Sequence, residues 1–94
     1  GSQANTVIEI KRSSNVNLLH GYRSQLAAYM KAERADSGIF IVILDKDNLE
    51  QVMNQLAEIQ KDMKENDEYI PKIIYVNGLR QPSASVSSYK DLTI

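Results

Sequence analysis

Cysteine is absent from the 94 residues. Its absence excludes a disulfide framework, a thiolate metal site and a cysteine nucleophile. It also fits a reducing cytoplasm, the expected location. Histidine occurs once, at His20, which reads as an exposed or partly buried helix residue rather than a catalytic one. Long apolar runs are missing too. The longest, Ile39 to Leu44, is far too short to span a bilayer, so no membrane partner is expected. No secretory signal pattern and no internal repeat is present. A chain of this length makes one domain at most, with a core of little margin.

Neither sign of charge dominates: the formal net charge is −1. The distribution is uneven, however. Five basic residues oppose two acidic ones up to Arg34, three oppose nine from Asp36 to Glu68, and three oppose one from Tyr69 onward. The basic first segment suits a polyanion. The plainer reading, that these charges cover solvated faces, is the one favoured from charge alone.

Thr6 to Arg12 is β-branched and alternating, the pattern of a strand. Alternation sends Val7, Glu9 and Lys11 to one face, leaving Ile8 and Ile10 to anchor the other. Ser13-Ser14-Asn15 and Asn17 are turn and N-cap residues that take the chain out of the sheet. Leu18, Leu19, Tyr22, Leu26, Tyr29 and Met30 then recur at helical spacing, predicting a helix from about Leu18 to about Ala35. Gly21 is a defect in it, marking either a late helix start or a close backbone approach. Gly38 suits the cap that ends it. The run Ile39 to Leu44 has the composition of a strand buried on both faces, as in a parallel sheet. Asp47, with Glu50 three residues later, has capping-box spacing for a second helix. Leu49, Val52, Met53, Leu56, Ile59 and Met63 form the apolar stripe of that helix. Pro71 to Val76 is a third strand, with the proline at its start or on an edge. Asn77-Gly78 signals a turn.

The expected fold is therefore α/β, in the order strand-helix-strand-helix-strand. It is a small three-stranded, largely parallel sheet with two helices, on opposite faces or sharing one. Gly1-Ser2 reads as a tag-cleavage scar, residues 3–78 as the α/β domain, and residues 79–94 as an extension holding either a short strand near Val86 to Tyr89 or a tail. So thin a domain leaves an unpaired edge or an uncovered apolar patch. Self-association into a homo-oligomer is the expected consequence.

Glu-x-Lys on a strand is by itself a common surface ion pair. Here the next helix carries Gln25 and Tyr29 four residues apart on one face, and a buried strand follows. This order, Ile8-Glu9-Ile10-Lys11, then Gln25-Leu26-Ala27-Ala28-Tyr29, then Ile39 to Leu44, resembles the PD-(D/E)XK nuclease superfamily. It is most similar to the branch with a Q-x-x-x-Y helix found in RecB-type nucleases. The resemblance covers about Val7 to Leu44. It implies a restriction-endonuclease-like fold and magnesium-dependent cleavage of nucleic-acid phosphodiesters, DNA before RNA. Glu9 would be a metal-binding carboxylate and the Ile10 carbonyl a further metal ligand, with Lys11 as the catalytic lysine. Gln25 and Tyr29 would support the site and touch nucleic acid, and Arg12, Arg23 and Lys31 would meet phosphates. On periodicity alone, Tyr22 and Tyr29 read as core aromatics.

The superfamily also has an acidic residue on a strand before the Glu-x-Lys strand. Only Gln3, Ala4 and Asn5 precede Thr6 after the scar. The chain thus reads as the C-terminal half of a nuclease domain, expected to be inactive in isolation. The alternative from a different class is a non-catalytic α/β interaction or oligomerisation module.

Overall fold

β-Branched alternation lays down β1 (Thr6–Arg12), and the continuous apolar run forms β2 (Ser37–Leu44). Pro71 immediately precedes β3 (Lys72–Asn77), where its missing N–H costs no ladder bond. The structure, a computed structural model, describes residues 5–79. Gly1-Ser2 and the strand expected near Val86 to Tyr89 lie outside them. The three strands form one parallel sheet in the order β1-β2-β3. The α/β strand-helix-strand-helix-strand arrangement is as the sequence predicts.

Strand order decides where the helices go. A right-handed crossover is the rule, and two crossovers stepping the same way across a sheet put both helices on one face. One buried cluster accordingly joins Leu18, Tyr22 and Leu26 of the first helix, Phe40, Val42 and Leu44 of β2, and Val52, Leu56 and Met63 of the second. Tyr22 ties its parts together. Its ring meets Phe40 edge-on at 5.2 Å. Its hydroxyl donates to the Pro71 carbonyl at 2.7 Å and accepts from Gln60 Nε2 at 3.1 Å.

The same geometry reverses the expected roles of the two faces of β1. Glu9 pairs in register with Phe40, and Lys11 with Val42, so the charged pair lies on the helix-covered face. Ile8 and Ile10 point to the bare face and are 54% and 55% exposed. Among the described residues they anchor nothing.

The first helix is a continuous coil in three pieces: α1 (Leu18–His20), a π turn (Gly21–Gln25) and α2 (Leu26–Glu33). It ends at Arg34, whose left-handed backbone (φ 54°) lets Ala35 N–H reach the Met30 carbonyl at 2.8 Å. Gly38 is not that cap. It lies within β2, where a Cβ would sit 2.6 Å from Met30 Sδ. The second helix, α3 (Leu49–Glu65), is preceded by Asn48 rather than Asp47, and the expected capping box does not form. Asn48 instead donates through Nδ2 to the Ser13 carbonyl at 3.2 Å. Asn77-Gly78 turns as the sequence signals, with Leu79 N–H donating to Asn77 Oδ1 at 3.0 Å, while Gly78 itself is still bonded to the sheet. Its N–H donates to the Leu44 carbonyl at 2.8 Å, extending the β2–β3 ladder.

Asp45 joins the loops that leave β1 and β2. It accepts from the Ser14 hydroxyl at 2.6 Å, the Ser14 N–H at 3.0 Å and the Ser13 hydroxyl at 3.1 Å. These bonds, the Ser14 hydroxyl foremost, hold its carboxyl below the usual aspartate range.

Candidate functional site

The site grows from β1, which among the described residues is an edge strand paired only with β2. Glu9 and Lys11 are one strand period apart, so both project beneath the first helix. Their side chains form an ion pair at 3.5 Å, each 16% exposed. Such partial cover raises the value of the pair above that of a surface salt bridge.

The first helix runs back along β1 and brings Gly21 against Lys11. A Cβ on Gly21 would lie 2.8 Å from Lys11 Cε and 3.5 Å from Gln25 Oε1. The lysine stem and the glutamine amide therefore flank the same point. The π turn helps to set this stripe. Leu26 N–H donates to the Gly21 carbonyl, five residues back, so one extra residue is accommodated between the two. Gln25 Oε1 is buried with no hydrogen-bond partner among the described residues. Tyr29 follows four residues on and is 47% exposed. Of the two readings that the sequence left open for Gly21, close approach is the one the structure displays.

Parity fixes where the backbone of β1 points. In a parallel ladder a residue directs its N–H and C=O to the same side. Ser13 N–H donates to the Ile43 carbonyl, and the Asn5 carbonyl accepts from Asp36 and Ser37. The odd-numbered residues thus face β2, and Ile8 and Ile10 direct their N–H and C=O groups to the open edge, as Arg12 does its N–H, while the Arg12 carbonyl accepts from the Asn15 N–H at 3.0 Å. Among the described residues the Ile10 carbonyl is therefore an acceptor without a ladder partner, next to Glu9.

The structure does not gather every candidate residue. The Arg12 side chain shares the bare face with Ile10, opposite Glu9 and Lys11. Arg23 lies on the other flank of the helix. Its Nη2 meets Asp62 at 2.8 Å and Glu68 at 3.4 Å, so two carboxylates already neutralise it. Lys31 is exposed on α2. Sequence reasoning missed the Ser13–Ser14–Asp45 connection. A pair of hydroxyls after one strand and a carboxylate after the next was its signal, visible only once the two strands are known to be neighbours.

Glu9, the outward Ile10 carbonyl and the orphaned Gln25 oxygen are all oxygen donors, the kind that suits magnesium. They fit it in kind and fall short in charge. Among the described residues no group of three or more His, Cys, Asp or Glu side chains could hold a metal ion. No helix of the described residues is long and apolar enough to cross a membrane.

A family model described as Domain of unknown function (DUF8371) matches residues 1–47, from the first residue through β1, the first helix and β2. No curated protein and no solved structure matches the chain.

Proposed function

The chain belongs to that family, whose description assigns no activity, and we propose that it carries part of a metal-dependent nuclease site of the PD-(D/E)XK type. The observation that carries this reading is the Glu9–Lys11 pair on an edge strand beneath Gln25, whose amide oxygen is buried and unpartnered. A structural surface pair gives no reason for a buried acceptor beside it. An unpaired buried acceptor costs about 1–3 kcal/mol, and a site that receives a donor from outside the chain explains it.

In this reading Glu9 and the Ile10 carbonyl would hold the cation. A bound magnesium ion supplies a water of lowered pKa and offsets charge on the phosphate oxygens. Lys11 would orient the attacking water and stabilise the negative charge that develops during phosphodiester cleavage. Gln25 accepts a hydrogen bond at the site. Tyr29, half exposed one turn away, lies against the nucleic acid, DNA in preference to RNA. A second carboxylate is required, and the unpaired edge of β1 is where a strand carrying it would dock beside Glu9. The chain alone is then inactive. Arg12 and Arg23, separated from the pair, take no part in the cleavage step.

The test is a magnesium or manganese titration followed through the backbone amide shifts of Glu9 to Arg12. Saturable shifts centred on Glu9 and Ile10, lost in Glu9→Ala, are expected. Shifts that survive Glu9→Ala would remove the metal-holding role, and none at millimolar metal would mean that Glu9 and Ile10 hold no ion without the second carboxylate.

A further inference from the structure

The face of the sheet turned away from both helices is a continuous apolar surface. Its central row, read across the register, is Ile10, Ile41 and Ile74. Ile8 and Ile39 extend it on one side, and Ile43 and Val76 on the other. Ile8, Ile10 and Val76 on the two outer strands are the most open, at 54%, 55% and 44% exposed. Two cations mark diagonal corners of the patch: Lys72 beside Ile39, and Arg12 beside Ile43. Parallel sheets are almost always covered on both faces, and β2 has the composition of a strand that is.

We propose that a second copy of this chain covers this face, the two sheets stacking about a two-fold axis that runs along the strands. Area supports it. Three strands ~4.8 Å apart, with three same-face rows ~6.7 Å apart, give a patch of roughly 14 by 20 Å. Stacking two such patches with their side-chain relief and rim stems buries on the order of 1,000 Å² in total, at the threshold of a specific interface. Charge is compatible with it. The axis lays β1 of one copy over β3 of the other, which sets Arg12 over Val76 and Lys72 over Ile8. No cation then faces a cation, and both stems cover apolar surface while their heads reach the rim. The β-branched rows interdigitate at the small angle that sheet twist imposes. The Glu9–Lys11 pair is on the opposite face and stays accessible, so this assembly is independent of the nuclease reading.

A different self-association is available through the open edge of β1, and the experiment separates the two. Sedimentation equilibrium of the chain over a wide concentration range is expected to show a reversible dimer. Ile10→Lys, at a position the fold does not bury, should weaken it by roughly tenfold or more while leaving the circular dichroism unchanged. Met53→Lys, on the outer surface of α3, should leave the dimer intact. The amides of Ile8, Ile10 and Arg12 should exchange as fast in the dimer as in the monomer, because their N–H groups remain open. A monomer at every concentration would overturn the proposal. So would a dimer indifferent to both Ile8→Lys and Ile10→Lys, or one that protects those three amides.

Discussion

Lys11 passes beneath Gly21 so closely that a Cβ on the glycine would stand 2.8 Å from Lys11 Cε. The helix and the lysine stem share space that a methyl group would take. A glycine here costs about 1 kcal/mol of helix propensity relative to alanine, and the lysine's approach to Glu9 is what the vacancy allows.

Gly21→Ala therefore sets two effects against each other. Alanine favours the helix, and the atom it meets is near the end of a flexible side chain that can swing away. Stability is expected to change by less than about 1 kcal/mol in urea unfolding. The Glu9–Lys11 pair should nevertheless break, read as a change in the side-chain carbon shifts of both residues. An unchanged pair would show that the glycine is not what admits the lysine.

Much of this arrangement is legible in the sequence. The spacing of Glu9, Lys11, Gln25 and Tyr29 places each on its element, and Ile39 to Leu44 marks the central strand. Which face of β1 is covered is not legible, because it depends on strand order. With β1 at the centre the two crossovers would step in opposite directions and flank the sheet. With β1 at the edge both helices share the face of Phe40, and Glu9 goes beneath them. Gly38 misleads for a related reason. A glycine after a helix suggests a cap, but here the need for one comes from Leu26 and Met30 pressing on the strand. The chain turns instead at Arg34, without a glycine.

Arg34 is then a site of relievable strain. It holds φ 54°, where a side chain is disfavoured by about 1 kcal/mol. It is exposed, and its own N–H reaches the Lys31 carbonyl at 3.2 Å. Arg34→Gly should retain that bond and stabilise the chain by roughly 0.5 kcal/mol, the strain relieved less the added freedom of the unfolded state. Arg34→Val should destabilise it. Thermal unfolding of the two variants checks the sign.

Tyr22 is fully buried, and its hydroxyl links α3 to the start of β3 through Gln60 and Pro71. Tyr22→Phe keeps the ring against Phe40 but leaves a buried carbonyl and an amide without their partner. A loss of about 1–3 kcal/mol in denaturant unfolding is expected. Tyr22→Ala should cost more, about 3–5 kcal/mol, because it also opens a cavity. Burial pushes the Tyr22 hydroxyl pKa above its ordinary value of 10.0. The folded state thus favours the neutral phenol. Its contribution is complete below that value and is lost as pH rises through the higher folded one, and this alkaline loss should shrink in Tyr22→Phe.

Asp45 gives the acid limb the opposite sign. Hydrogen bonds from Ser14 and Ser13 favour its charged form in the folded chain and outweigh the raising effect of desolvation, so its folded pKa lies below the unfolded one. A carboxylate with a depressed pKa stabilises above the ordinary aspartate range of about pH 4 and loses that contribution as pH falls through the folded value. The bonds at stake hold together the loops after β1 and β2, the ends of the two strands that carry the candidate site. Asp45→Asn cannot titrate, so its unfolding midpoint should fall less steeply than that of the parent chain below about pH 4. Ser14→Ala removes the Ser14 hydroxyl donor, the strongest of those acting on Asp45 and the shortest bond to it, at 2.6 Å. It should move the acid loss of stability to higher pH, toward the unfolded carboxylate value. Urea unfolding of the three proteins between mildly acidic and strongly acidic pH reads both effects. Coincident pH profiles for the parent chain and Asp45→Asn would mean that other carboxylates control the acid limb.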